Sequence, residues 1–155
     1  MKKIDSGILN FELEDNTGKI VKLADFKGKF IVLYFYPKDD TPGCTTEACS
    51  FRDANDVMKS MGVEIIGVSK DSVKSHQKFL EKFKLNFTLL SDTEKKLQEA
   101  FGVWQKKKFL GREYMGTARS TFILGPDAEI LKEFENVKPK GHAEQVLEEL
   151  KKHIK

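Results

Sequence analysis

Phe30-Ile31-Val32-Leu33-Tyr34-Phe35-Tyr36 runs straight into Pro37-Lys38-Asp39-Asp40-Thr41-Pro42-Gly43-Cys44, and Thr45-Thr46-Glu47-Ala48-Cys49 follows at once. The first part is an almost unbroken apolar run of strand length, rich in aromatic and β-branched residues, and it reads as a buried central strand. Pro37 ends it, because proline has no amide hydrogen for the next rung of the ladder. Thr41 suits an N-cap, and Pro42 suits the first helical position, where a missing N–H costs nothing. That register makes Cys44 the third residue of a helix. Its sulfur then lies near unpaired backbone N–H groups and the positive end of the helix dipole, which favour a thiolate over a thiol. A cysteine so placed is a candidate nucleophile.

On the N-terminal side, Asn10–Glu14 alternates like a half-buried strand, Asp15–Gly18 supplies turn chemistry, and Lys19–Leu23 pairs back as a hairpin. Ala24–Lys29 is a short turn into the central strand. On the C-terminal side, the helix extends from Thr41 to about Lys59, with Cys44, Ala48, Phe51 and Met58 near helical spacing and Gly62 as its stop. Val63–Val68 reads as a second buried strand. Ser72–Lys84 reads as a helix with Val73, His76, Phe79, Leu80 and Phe83 inward, which makes His76 a histidine at the edge of the core rather than a ligand. Phe87–Leu90 is a short strand and Thr93–Phe101 a helix broken by Gly102. Val103–Gly116, with Trp104 and the run Lys106–Lys108, reads as an irregular basic surface loop holding at most an edge strand. Thr117–Leu124 and Glu129–Phe134 form a hairpin around the turn 125–128. His142–His153 is a closing helix with Val146, Leu147, Leu150 and Ile154 at helical spacing. Strands alternating with helices predict an α/β fold with parallel pairings in the middle of a mixed sheet, and hairpins add antiparallel strands. Cys44 then sits where a strand's carboxyl end meets a helix start, the usual ligand position of open α/β sheets.

The chain has 155 residues, 39% hydrophobic and 33% charged, with a formal net charge of +3. That length and composition suit one domain with a substantial core, spanning 1–155. The charge is too mild and too evenly spread to indicate a nucleic-acid partner. No apolar run reaches membrane-spanning length, and Met1–Gly7 is basic without the apolar core of a secretion signal, so a cytoplasmic location is expected. Two cysteines in a reducing compartment do not make a permanent crosslink, and their spacing is neither Cys-x-x-Cys nor part of a zinc-ligand pattern.

Pro37-x-x-x-Thr41-x-x-Cys44 resembles the active-site motif of the peroxiredoxins, and Arg119-Ser120-Thr121-Phe122 resembles that family's later arginine-bearing strand. A second cysteine five residues after the first is similar to the bacterioferritin-comigratory-protein branch, also called Q-type. The likeness continues through Phe101-Gly102-Val103-Trp104 and Val137-x-Pro139-x-Gly141-His142. It implies a thioredoxin-like fold, a peroxide substrate, no metal or organic cofactor, and thioredoxin or a similar dithiol as reductant. It also implies a monomer.

Given that likeness, Cys44 is the expected attacking thiolate. Arg119 is expected to hold sulfur and a peroxide oxygen through its rigid fork, and Thr41 to offer its hydroxyl to both. Pro37, Pro42 and Gly43 are expected to shape the pocket. Attack leaves a sulfenic acid that condenses with a thiol, and Cys49 is the other thiol in the chain. Five residues of intact α-helix hold two Cα atoms about 8–9 Å apart, whereas a disulfide tolerates at most about 7 Å. The helix from Thr41 to about Phe51 is therefore expected to be closed when reduced and to unwind on oxidation. The alternatives are a thiol–disulfide oxidoreductase, distinguishable by insulin reduction, and a redox-sensing module, distinguishable by stoichiometric oxidation without turnover.

Overall fold

The computed structural model describes residues 2–154. Eight strands form one mixed sheet in the order β1 (Lys2–Lys3), β10 (Glu129–Phe134), β9 (Ser120–Leu124), β4 (Phe30–Phe35), β5 (Val63–Ser69), β6 (Thr88–Ser91), β2 (Leu13–Asp15) and β3 (Ile20–Val21). β4, β5 and β6 are parallel, and every other pairing in this sheet is antiparallel. The expected mixed sheet, with parallel pairs at its centre and an N-terminal hairpin, is the architecture found.

β4 is buried on both sides, as a run without polar alternation requires. Val32, Tyr34 and Tyr36 face one core with Cys44, Ala48, Phe51 and Met58 of α2 (Pro42–Ser60), Phe79 of α3 (Val73–Phe83), and Val146 and Leu150 of α5 (His142–His153). Ile31, Leu33 and Phe35 face a second core with Leu97 of α4 (Lys96–Ala100), Phe122 and the N-terminal hairpin. Gly67 on β5 is required by close approach. A Cβ there would lie 2.9 Å from Leu89 and 3.0 Å from the Tyr34 ring.

Four local readings are corrected. The basic N-terminus, given no element from sequence, is structured: β1 pairs with β10, and Asp5 caps the short helix α1 (Ser6–Leu9). The turn after the first hairpin contains a 3-10 helix, Leu23–Phe26. The segment 103–116 is not an irregular loop. It forms a separate antiparallel ribbon, β7 (Trp104–Phe109) with β8 (Arg112–Thr117), closed by Leu110 and Gly111, both at positive φ. Neither strand has a continuous buried face, so no hydrophobic alternation marks them; backbone pairing and the turn make the ribbon. The strand read as Thr117–Leu124 is broken at Ala118–Arg119, where the chain leaves the ribbon and enters the main sheet. That break carries Arg119.

Candidate active site

The last ladder bond of the central strand runs from the Tyr36 N–H to the Val68 carbonyl at 3.1 Å, and half-buried Pro37 ends the pairing. Thr41 occupies the N-cap, and Pro42 opens α2, as the motif predicts. The Thr41 hydroxyl does not cap the helix, however. It donates to the Lys38 carbonyl at 3.0 Å, which commits its hydrogen to the loop and leaves its lone pairs to accept. Cys44 is 1% exposed, within the first turn of an unbroken helix, and Cys49 is half-buried; both are free thiols. The reduced, helical half of the expected transition is therefore the state seen.

Arg119 comes from the break before β9, and its backbone is pinned by the Val137 N–H donating to its carbonyl at 3.0 Å. One arm of the guanidinium, Nη2, lies 3.3 Å from Cys44 Sγ; the other, Nη1, donates to Glu47 Oε1 at 2.8 Å. Gly43 makes room for this fork. A Cβ at 43 would sit 3.2 Å from Nη2 and 3.4 Å from Pro139, so the residue expected in the pocket supports the arginine directly. Pro42 is exposed at the helix start. The geometry thus brings Cys44, Arg119 and Gly43 together, keeps Thr41 and Pro42 at the cap, and leaves Cys49 further along α2.

Glu47 is absent from the expected site, and it is central. Its side chain is fully buried, Oε2 has no hydrogen-bond partner, and burial pushes its carboxyl up to about 7 despite the opposing pull of Arg119. Burial also opposes the charge on Arg119, but Glu47 and the Cys44 sulfur outweigh it and the net shift is upward. Tyr34 lies beneath this group. Its hydroxyl is buried without a partner, and burial first, then the charges of Glu47 and Cys44, raise it well above the ordinary phenol value. The sequence carried a usable signal for Glu47: three residues after Cys44 on a helix means the same face.

Asp39, two residues before the cap, was likewise missed. Its carboxylate accepts from Tyr36 Oη at 2.5 Å and Ser75 Oγ at 2.8 Å, and lies 2.7 Å from His76 Nδ1. Its N–H donates to Asp71 Oδ2 at 2.8 Å. His76 is fully buried, with Nε2 3.0 Å from the Leu90 carbonyl, so it is a structural histidine of the core, deeper than its expected place at the edge. His142 is more than a helix start: it is buried, with Nε2 2.7 Å from Thr121 Oγ1 and its basicity lowered mainly by burial. A cavity of about 500 Å³ between Ile4, Ile8, Phe101, Phe122 and Ile130 opens on the other face of the sheet and is no part of this site. Among the described residues no cluster of three or more His, Cys, Asp or Glu could hold a metal ion, and no helix is long and apolar enough to cross a membrane.

Residues 4–133 match the model of the AhpC/TSA family. The chain is 54% identical over 142 residues to peroxiredoxin Bcp of Bacillus subtilis, covering 92% of this chain and 90% of that one. It is 44% identical over 143 residues to peroxiredoxin Bcp of Escherichia coli, covering 92% of each. Among solved structures, peroxiredoxin Q of Xanthomonas campestris superposes with a TM-score of 0.95 at 39% identity, over 100% of this chain and 98% of that one. The bacterioferritin comigratory protein of Xanthomonas campestris, studied for its alkyl peroxide reduction activity, gives 0.95 at 38% identity, over 100% and 99%. The chain therefore belongs to the AhpC/TSA family and, within it, to the peroxiredoxins of the Bcp type.

Proposed function

We propose that this peroxiredoxin, a thiol peroxidase by family, reduces hydrogen peroxide and organic hydroperoxides with the Cys44 thiolate. The sulfur attacks one oxygen of the O–O bond; an S–O bond forms, the O–O bond breaks, and the other oxygen leaves as water or alcohol after taking a proton. The observation that carries this reading is the Arg119 fork, 3.3 Å from Sγ on one arm and held by Glu47 on the other. A fixed positive charge beside the reacting sulfur stabilises both the thiolate and the charge developing on the leaving oxygen. With its hydrogen donated to Lys38, the Thr41 hydroxyl serves as acceptor for the peroxide proton. Gly43 admits the guanidinium, and Pro37 and Pro42 set the ends of the loop and helix.

The Cys44 sulfenic acid then loses water to the Cys49 thiol, and a disulfide forms once α2 unwinds. A dithiol protein of the thioredoxin kind restores both thiols, in keeping with a reducing, cytoplasmic setting and with a monomer. No metal or organic cofactor enters these steps. A thiol–disulfide exchange enzyme is the weaker reading, because it would leave Arg119 without a task.

Stopped-flow oxidation of the reduced protein, with mass spectrometry of the product, tests the scheme. Expected are a fast phase absent in Cys44→Ser, a product lighter by two hydrogens and linked Cys44 to Cys49, and a phase slowed about 100-fold or more in Arg119→Ala. Oxidation at unchanged rate in either variant would sink the assignment.

A further inference from the structure

Among the described residues six large apolar side chains are exposed, and four of them, Phe109, Leu110, Tyr114 and Met115, lie in the β7–β8 ribbon. The other two, Ile20 and Val57, are isolated from one another in sequence and fold. Single exposed apolar residues are ordinary, but a cluster on one projecting element is not. The apex is the most telling position. Leu110 is 88% exposed and holds φ +51 in a two-residue turn, where Asn or Gly is the favoured type. A strained backbone and a solvent-facing leucine coincide there, and nothing in the fold gains from either.

The ribbon is also cationic. Lys106, Lys107, Lys108 and Arg112 stand against one carboxylate, Glu113, which pairs with Lys106 at 2.7 Å. It is joined to the reaction centre. β8 ends at Thr117, two residues before Arg119, and the half-buried Lys107 has its basicity lowered by burial and by Arg119, with Cys44 pulling the other way. By the ribbon register, Lys107, Phe109, Arg112 and Tyr114 share one face and Lys106, Lys108 and Met115 the other, so apolar and cationic side chains mix on both faces.

We propose that this ribbon is the docking surface for the dithiol protein that reduces the Cys44–Cys49 disulfide, and that the partner presents an apolar groove with an acidic rim. The proposal rests on the peroxidase reading, in which a dithiol protein reduces the disulfide at this site. There the partner's thiolate attacks one sulfur of the disulfide, the S–S bond breaks, and the released thiolate takes up a proton. The partner's second thiol then resolves the mixed disulfide, so both electrons come from the partner. A peroxide molecule needs no such surface. A second copy of this chain fits it poorly, because a symmetric pairing sets Lys106, Lys108 and Arg112 against their own equivalents. A bilayer would engage the apex alone, whereas here the apolar and basic side chains continue down to Lys107 and Tyr114.

The test uses the full chain with thioredoxin as the protein reductant and dithiothreitol as the small one. In the double variant Phe109→Thr, Leu110→Asn, threonine keeps strand preference and asparagine accepts the left-handed turn. Its kcat/KM for thioredoxin should fall about tenfold, the loss of one modest anchor. Peroxide oxidation and dithiothreitol recycling should stay unchanged. Lys106→Glu with Lys108→Glu should lower the same constant and flatten its salt dependence. Unchanged thioredoxin kinetics in both variants would overturn the proposal, as would an equal loss with dithiothreitol. Loss of retention on phosphatidylglycerol vesicles with thioredoxin kinetics intact would instead assign the ribbon to a membrane surface. Failure of the peroxidase reading itself would show separately, as no peroxide oxidation of the unaltered protein.

Discussion

The loop that delivers Cys44 and the helix that carries it onward are held by opposite means. Before the cysteine, Asp39 gathers Tyr36, Ser75, His76 and the Asp71 carboxylate into a hub in which both oxygens of the buried Asp39 carboxylate are matched. After it, the buried polar group within the next turn of α2 is Glu47, with one oxygen on Arg119 and the other on nothing. A satisfied buried network rigidifies, whereas a partly satisfied buried carboxylate is held at a cost. The difference teaches which side of the sulfur is built to stay and which to move. The proposed Cys44–Cys49 disulfide needs the segment that contains Glu47 to open, and it leaves the Asp39 hub in place.

The hub offers the largest expected effect. Asp39→Ala strands the groups around His76 and Tyr36, and should destabilise the protein by about 3–5 kcal/mol, as removal of one partner from a buried pair does. Urea unfolding measures this, and a loss under about 1 kcal/mol would remove the fixed side of the comparison.

Glu47 comes next, through pH. Its carboxyl sits at about 7 in the closed helix against 4.5 when exposed, so the closed form binds the proton more tightly. The closed helix is therefore fully favoured below the lower value and loses stability as pH rises through the upper one, by up to about 3 kcal/mol. Amide exchange over residues 44–51 should show opening that becomes easier from pH 4.5 to 7 and level above it. In Glu47→Gln the profile should flatten. An unaltered profile would mean that another group controls the opening.

The smallest effect should be at Pro42, exposed and fixing only the backbone at the helix start. Pro42→Ala should cost about 0.5 kcal/mol through the unfolded chain. A much larger loss in thermal unfolding would mean that the movable side is fastened at its first residue as well.

Much of this was legible in one dimension. The apolar run Phe30–Tyr36, the stop at Pro37, the Thr41–Pro42 helix entry and the closing helix His142–His153 all depend on short-range patterning, and each lies where that patterning put it. The ribbon 104–117 was not legible, because a two-stranded element without a buried face leaves no alternation to read.

The sequence by itself determined the central strand, the position of Cys44 at a helix start and the family, since chain connectivity sets these within a few residues. Only the tertiary structure decided that Arg119, 75 residues away, reaches the sulfur, that Glu47 is buried with one oxygen unmatched, and that Asp39 meets His76 across 37 residues. Those facts depend on packing between elements distant in the chain, where burial and distance set the charge on a side chain and neither is written in its neighbours.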